Sequence, residues 1–211
     1  MKKLDKKVAV ITGAGAGMGK ELAIQLAAKG VKVALNDWNG ENLQATINIV
    51  KENGGTAIGK RYDVSNRAAV YAFKEEVLSE FGQVDIVLNN AGISIPNYTI
   101  EEVPYEEFEK MININLWGVI YGTKAYLPHL QTRPEAVVAN TSSSFGLMGF
   151  PRRGAYCTSK FAVKGFTETL QLELAAQESN VRALSILPGH IYTDIVRNVA
   201  HKPGTLTEAD K

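Results

Sequence analysis

Residues 7–30 read KVAVITGAGAGMGKELAIQLAAKG, and the change of pattern inside this stretch sets the fold class. It opens with an apolar, β-branched run, 7–12 (KVAVIT), of the kind that forms a strand buried on both faces. Glycines follow in Thr12-Gly13-Ala14-Gly15-Ala16-Gly17-Met18-Gly19. The segment 19–29 (GKELAIQLAAK) then places Leu22, Ala23 and Leu26 at helical spacing and stops at Gly30, a C-terminal cap. Strand, glycine turn and helix in succession bring unbonded backbone N–H groups and the positive end of a helix dipole to one point. Glycine permits positive φ and close approach to the backbone, so this turn suits the pyrophosphate of a dinucleotide. Taken alone, the cluster is also compatible with a tight turn that binds nothing.

Working outward, further strands are expected at 31–36 (VKVALN), 56–62, 84–89 (VDIVLN), 136–142 (AVVANTS) and 181–187 (VRALSIL). Between them lie segments of helical period. Ser65 is placed to cap a helix running through Val70, Phe73 and Val77 to Gly82. Pro104 to about Leu127 reads as one long helix, and 155–178 as another. Alternating strands and helices predict an α/β fold: a Rossmann-type, doubly wound parallel sheet of six strands in the order 3-2-1-4-5-6, with helices on both faces. A chain of 211 residues suffices for one domain with a substantial core and is short for two, so 1–211 is read as one nucleotide-binding domain.

Composition narrows the function. Hydrophobic residues at 45% and charged ones at 21% suggest neither disorder nor a fibrous class. A net charge of +1 gives no electrostatic case for nucleic acid. Lys2, Lys3, Lys6 and Lys7 are interrupted by Leu4 and Asp5 and read as a solvated arm. The apolar run after them, VAVIT, is too short for secretion or for spanning a membrane, so a cytoplasmic location without a membrane partner is expected. Cys157 is the only cysteine, which rules out an intrachain disulfide. His129, His190 and His201 lack metal-ligand spacing, and no metal site is expected.

The glycine spacing is specific in one respect. G-x-G-x-x-G fails, because from Gly13 its third position falls on Met18 and from Gly15 on Lys20. T-G-x-x-x-G-x-G fits, with Gly13, Gly17 and Gly19, and here the sequence resembles the short-chain dehydrogenase/reductase family. Asp37 closes the second strand, 18 positions after Gly19. A carboxylate there would accept the adenosine ribose hydroxyls and repel a 2′-phosphate, favouring NAD over NADP. Ala16 and Trp38 stand where basic partners of a phosphate would be expected. Asp63-Val64 match the family's adenine-side pair, and Asn89-Asn90-Ala91-Gly92 its N-N-A-G element. The resemblance therefore implies cofactor contacts from Gly13, Ala16, Gly17, Met18, Gly19, Asp37, Trp38, Asp63, Val64, Asn90, Ala91 and Gly92.

Tyr156 and Lys160, four apart on an expected helix, share one face. Ser143 precedes Tyr156 by 13 positions, in TSSSFG. That spacing resembles the family's Ser-Tyr-Lys arrangement, and Asn115 in NINLWGV its fourth catalytic position. Strand alternation turns Ser142 and Ser144 away from the face of Ser143. The resemblance implies that Tyr156 is the acid/base, that Lys160 tunes it and holds the nicotinamide ribose, that Ser143 bonds the substrate oxygen, and that Asn115 holds a water leading to solvent. Moving a phenol from about pKa 10 to about 7 needs roughly 4 kcal/mol. One unit charge about 4 Å away, at an effective dielectric of about 20, supplies a similar amount; burial opposes it. Pro188-Gly189, Ile191 and Thr193 resemble the family's P-G-x-x-x-T segment, which implies nicotinamide contacts. Cys157 points about 100° away from Tyr156 on a helix.

The implied activity is hydride transfer between NAD and a secondary alcohol or ketone. The alternatives are an NADP-dependent keto or ketoacyl reductase of the same family, and a nucleotide-binding protein without turnover. With no G-x-S-x-G elbow, a hydrolase is disfavoured. Ile93, Ser94, Leu147, Phe150 and Arg153 are candidate pocket walls for a small-molecule substrate. The resemblance also implies a homodimer or homotetramer formed through the helices near 105–127 and 155–178. Family members usually continue into a seventh strand, whereas this sequence ends at Lys211; 195–211 is expected to be part of a mobile lid.

Overall fold

The structure is a computed structural model and describes residues 3–189. Its elements run in the order β1 (Val8–Thr12), α1 (Gly17–Ala27), β2 (Lys32–Asp37), α2 (Gly40–Glu52), β3 (Ala57–Arg61), α3 (Arg67–Phe81), β4 (Ile86–Asn89), α4 (Tyr105–Ile112), a π-helical turn (Asn113–Trp117), α5 (Gly118–Leu130), β5 (Ala136–Thr141), a 3-10 turn (Ser144–Gly146), α6 (Gly154–Ala176) and β6 (Val181–Ile186). The strands form one parallel sheet in the order β3-β2-β1-β4-β5-β6, the order expected from the sequence.

Alternation along each strand builds two cores. Val8 and Val10 face Phe73, Tyr126, Leu130 and Leu170, which come from α3, α5 and α6. Ala9 and Ile11 face the opposite layer with Leu43, Ile47 and Val50 of α2. Both faces of the sheet are therefore covered, which explains why β1 is buried at every position. Among the described residues no helix is long and apolar enough to cross a membrane.

Several boundaries differ from the sequence reading. Ser65 does not cap α3. Asn66 does, its side chain accepting from Ala69 N at 3.1 Å, because the turn closed by Asn66 N on Asp63 O sets Asn66, not Ser65, immediately before the helix. The helix α2 was not anticipated; it is capped by Asn39, which accepts from Glu41 N and Asn42 N. α1 starts at Gly17 rather than at 19, and Gly30 lies beyond its end with φ +80°. The helix expected over 104–127 is interrupted by the π-helical turn and reaches Leu130.

The edge of the sheet where the strands begin is fastened by Asp85. This fully buried carboxylate accepts from Val8 N at 3.0 Å, Arg133 Nε at 3.1 Å and Gln83 Nε2 at 3.0 Å, and pairs with Lys7 at 3.4 Å. His129 Nε2 accepts from Val84 N at 3.0 Å beside it. The imidazole serves the chain trace there, and no group of His, Cys, Asp or Glu suited to a metal occurs among the described residues. The opposite edge, where Thr12, Asp37, Asn89 and Thr141 close their strands, is left for chemistry.

Candidate active site

The glycine loop joins β1 to α1 with φ of +65° at Gly13 and +52° at Gly17, conformations that L side chains rarely adopt. A Cβ on Gly13 would stand 2.8 Å from Ala91 Cα, and one on Gly19 would stand 2.6 Å from Asn90 Nδ2. The loop thus needs glycine where it packs on the Asn90-Ala91 turn. Thr12 Oγ1 accepts the N–H groups of Asn90 and Ala91, each at 3.0 Å, while Asn90 Nδ2 donates to Thr12 O at 3.1 Å. Ala16, the N-cap of α1, has no capping side chain, in contrast to Asn39 and Asn66. No side chain therefore competes with an anion for the N–H groups of Gly17, Met18 and Gly19. This cradle fits the pyrophosphate of a nicotinamide dinucleotide.

Asp37 is buried and holds two structural bonds: Oδ2 accepts Gly15 N and Oδ1 accepts Asn39 N, both at 2.8 Å. It ties the glycine loop to the end of β2, and each oxygen keeps a further lone pair for a ribose hydroxyl. Trp38 is 68% exposed. Its carbonyl accepts Arg61 Nε at 2.9 Å, and Arg61 is the sheet partner of Asp37 in β3. Arg61 was missed in the sequence because only the strand register brings it to this corner. Asp63 holds its own turn through Ser65 N, and Val64 is buried against Gly118, where a Cβ would lie 2.7 Å from Val64 Cγ2.

Asn115 sits in the π-helical turn with its side chain fully buried. Its Oδ1 accepts Ile93 N at 2.7 Å, and its Nδ2 donates to Ile93 O at 3.0 Å and to Ser159 Oγ at 3.2 Å. A Cβ on Gly92 would lie 3.2 Å from Asn115 Oδ1 and 3.4 Å from Lys160 Nζ. Asn115, Gly92 and Lys160 thus close on one small volume.

Lys160 is buried, and its Nζ donates to Thr141 O at 2.9 Å. Burial lowers its pKa to about 8. Nζ stands 5.6 Å from the Tyr156 ring centroid. Burial also raises the Tyr156 phenol above its ordinary value, against the opposing effects of a hydrogen bond with Ser143 and the charge of Arg153. The ammonium is turned to the Thr141 carbonyl, and burial opposes the lowering of the phenol that the sequence reading assigns to Lys160. Ser143 Oγ, besides its bond with Tyr156, accepts Phe145 N at 3.2 Å. Ser142 Oγ donates to Lys160 O at 2.7 Å, so it serves α6, and Ser144 begins the 3-10 turn. Cys157 is buried beside Tyr156.

Around Tyr156, the Phe145 ring stands edge-on at 6.1 Å and stacks on Phe150 at 4.6 Å. Arg153 Nη1 donates to Ser94 Oγ at 3.1 Å. Leu147 and Phe150 are exposed, and Ile93 is held by Asn115. Pro188 O accepts Ser144 N at 2.9 Å, which brings the segment after β6 alongside Ser143. Ile191, Thr193, His190, His201 and 195–211 lie outside the described residues.

Comparison with known proteins agrees with this geometry. The family described as short chain dehydrogenase matches residues 7–204. "Putative oxidoreductase SadH" of Mycobacterium tuberculosis is 39% identical over 204 residues, 97% of this chain and 74% of that protein. A short chain dehydrogenase/reductase from Burkholderia phymatum, solved in complex with NAD, superposes with a TM-score of 0.91 at 32% identity, covering 100% of this chain and 77% of that one. An alcohol dehydrogenase from Thermococcus sibiricus, complexed with 5-hydroxy-NADP, superposes with a TM-score of 0.85 at 33% identity, covering 93% and 82%.

Proposed function

The chain belongs to the short-chain dehydrogenase family of nicotinamide-dependent oxidoreductases, and on that premise we propose that it interconverts a secondary alcohol and a ketone with NAD as cofactor and Tyr156 as acid/base. The observation that carries this reading is the meeting of Ser143, Tyr156, Lys160 and Asn115 at the edge of the sheet where the strands end.

The bound cofactor supplies the two-electron chemistry at its nicotinamide ring. The proton falls to the chain. In reduction the Tyr156 hydroxyl gives its proton to the carbonyl oxygen; in oxidation the phenolate takes one from the alcohol. Ser143 holds the same oxygen and stabilises charge developing on it. Lys160 holds the ribose and, when turned from Thr141 O toward the phenol, offsets the burial that keeps Tyr156 protonated. Asn115 positions the Ile93 segment and a water leading from Lys160 to solvent. Ile191, Thr193, Pro188 and Gly189 complete the nicotinamide end in this reading.

Preference for NAD rests on Asp37, whose free lone pairs suit ribose hydroxyls and whose charge opposes a 2′-phosphate. Arg61 favours a second reading, in which NADP is also accepted through a guanidinium next to Asp37 and Trp38. Titration with NADH and NADPH, followed through Trp38 and Trp117, decides between them. The same reading takes the chain as one nucleotide-binding domain, cytoplasmic, acting on a small alcohol or ketone and assembled as a homodimer or homotetramer.

A further inference from the structure

Two arginines stand side by side just ahead of Tyr156, and the second bears on the reacting group. Arg152 is exposed; its backbone takes φ +61°, its Nη2 donates to Asn97 O at 3.0 Å, and it pairs with Glu102 at 3.7 Å. With the backbone bridge between Tyr98 and Arg153, and with Ile100 Cδ1 filling the place of a Cβ on Gly154, these contacts fasten the 94–103 segment to the start of α6. Arg153 is half-buried at the N-cap of α6, one helical turn ahead of Tyr156, and lines one recess with Ser94, Ile95, Tyr98 and Tyr156. Ser94 Oγ accepts its Nη1 at 3.1 Å, which holds the guanidinium in that wall. Its charge is felt at the phenol: burial raises the Tyr156 pKa, and the Ser143 hydrogen bond and the Arg153 charge lower it.

A cation in a half-buried recess loses part of its hydration, and a neutral alcohol or ketone returns little of that loss. A carboxylate does return it, because guanidinium and carboxylate match as planar, bidentate, charge-assisted partners. We propose that Arg153 is a specificity-determining residue that holds the carboxylate of an anionic substrate, a hydroxy acid or the corresponding keto acid, with the anion within a few bonds of the reacting carbon. The short span follows from the single helical turn between Arg153 and Tyr156, about 5.4 Å along the axis. The rest of the substrate is apolar, since Phe145, edge-on to Tyr156 at 6.1 Å and stacked on Phe150 at 4.6 Å, gives the same phenol an aromatic neighbour. The inference rests on the proposed function and names its substrate class. The reaction is unchanged: the alcohol carbon gives hydride to the oxidised cofactor and its hydroxyl gives a proton to Tyr156, while the carboxylate stays bound and unaltered.

The test uses the unmodified full chain, Arg153→Gln and Arg153→Lys with oxidised NAD. The probes are α- and β-hydroxy carboxylates with short, medium and long apolar tails, each beside its neutral primary amide and the plain secondary alcohol of matching length. In the unmodified chain kcat/KM should favour the best acid over its own amide by about tenfold or more, the scale of one charge-assisted hydrogen bond. Arg153→Gln should remove that preference, mainly through a raised KM for the acid. Arg153→Lys, which keeps the charge but not the fork, should retain part of it. NADH binding by each variant reports an intact fold. Amides or plain alcohols used as well as the acids by the unmodified chain overturn the proposal, whatever the variants do. So does an equal fall for acid and amide in Arg153→Gln, carried by kcat, which marks tuning of the phenol or support of the Ser94 segment. Turnover on plain alcohols without a preference for acids removes this inference alone, and no turnover on any of the three series removes the functional reading with it.

Discussion

Lys160 Nζ is 2.9 Å from Thr141 O and 5.6 Å from the centre of the Tyr156 ring, so the ammonium is held by a backbone carbonyl beside the ring of the residue it neighbours on α6. Both titrating groups are displaced by burial in the direction that favours their neutral forms, Lys160 downward to about 8 and Tyr156 upward.

The Lys160 displacement makes stability depend on pH with a definite sign. Below about pH 8 the lysine is charged in both folded and unfolded chains, and its burial cost is present in full. Between about 8 and the unfolded value near 10.4 the folded chain binds fewer protons, so stability rises with pH, by about 3 kcal/mol at most. Urea unfolding of the cofactor-free protein at pH 7.5 and 9.5 should show this rise, and Lys160→Met should reduce it. Equal slopes in the two proteins would contradict the assignment.

Asp37→Ala should act twice. Loss of acceptors for Gly15 N and Asn39 N should lower stability by about 1–3 kcal/mol. Loss of the carboxylate should move the NADH-to-NADPH affinity ratio toward NADPH by about tenfold or more. Arg61→Ala should weaken NADPH and leave NADH unaffected, as measured by the same titration. An unchanged ratio in Asp37→Ala would sink the cofactor argument.

His129 carries a second pH dependence. Burial, with Arg133 and Lys74 nearby, lowers its pKa, and its Nε2 must be unprotonated to accept Val84 N. A depressed folded value means that its contribution is present above the unfolded pKa, about 6.5, and is lost as pH falls through the folded one. The melting temperature should therefore drop below about pH 6.5, and His129→Gln should show a smaller drop over that window. An identical pH profile in both proteins would count against this role.

Exposed Trp117, stacked on Tyr121, and exposed Phe161 lie on the helical segments where assembly is proposed. Light scattering on a size-exclusion column should give the mass of a dimer or tetramer, and Trp117→Glu with Phe161→Glu should shift it toward the monomer of 22.9 kDa. A monomer in the unmodified chain would overturn the assembly reading.

What the sequence made legible was local. The run from Lys7 to Gly30 carried strand, turn and helix in its own spacing, and Tyr156 and Lys160 share a helix face by virtue of being four apart. Features that depend on a neighbour far along the chain were not legible. Arg61 reaches Asp37 only through strand register, and Asp85 gathers Lys7 and Arg133 only once β1, β4 and the end of α5 meet. Asn66 rather than Ser65 caps α3 because the turn closed on Asp63 O sets Asn66 immediately before the helix. The helix α2 escaped notice although Leu43, Ile47 and Val50 stand at helical spacing, since polar residues fill its remaining faces. The π-helical turn at Asn115 leaves no mark in hydrophobic periodicity, yet it is the element that holds the Asn115 amide against Ile93 and Ser159.

The central claim is that Tyr156 moves the proton for a nicotinamide-dependent reaction. The most direct measurement is NADH binding, read by quenching of Trp38 and Trp117, alongside turnover on an alcohol and ketone panel, for the unmodified chain and for Tyr156→Phe. The account predicts NADH affinity within about threefold in both proteins, with turnover reduced about a hundredfold or more in Tyr156→Phe. Turnover that survives the loss of the phenol, or an unmodified chain that does not bind NADH, would contradict it.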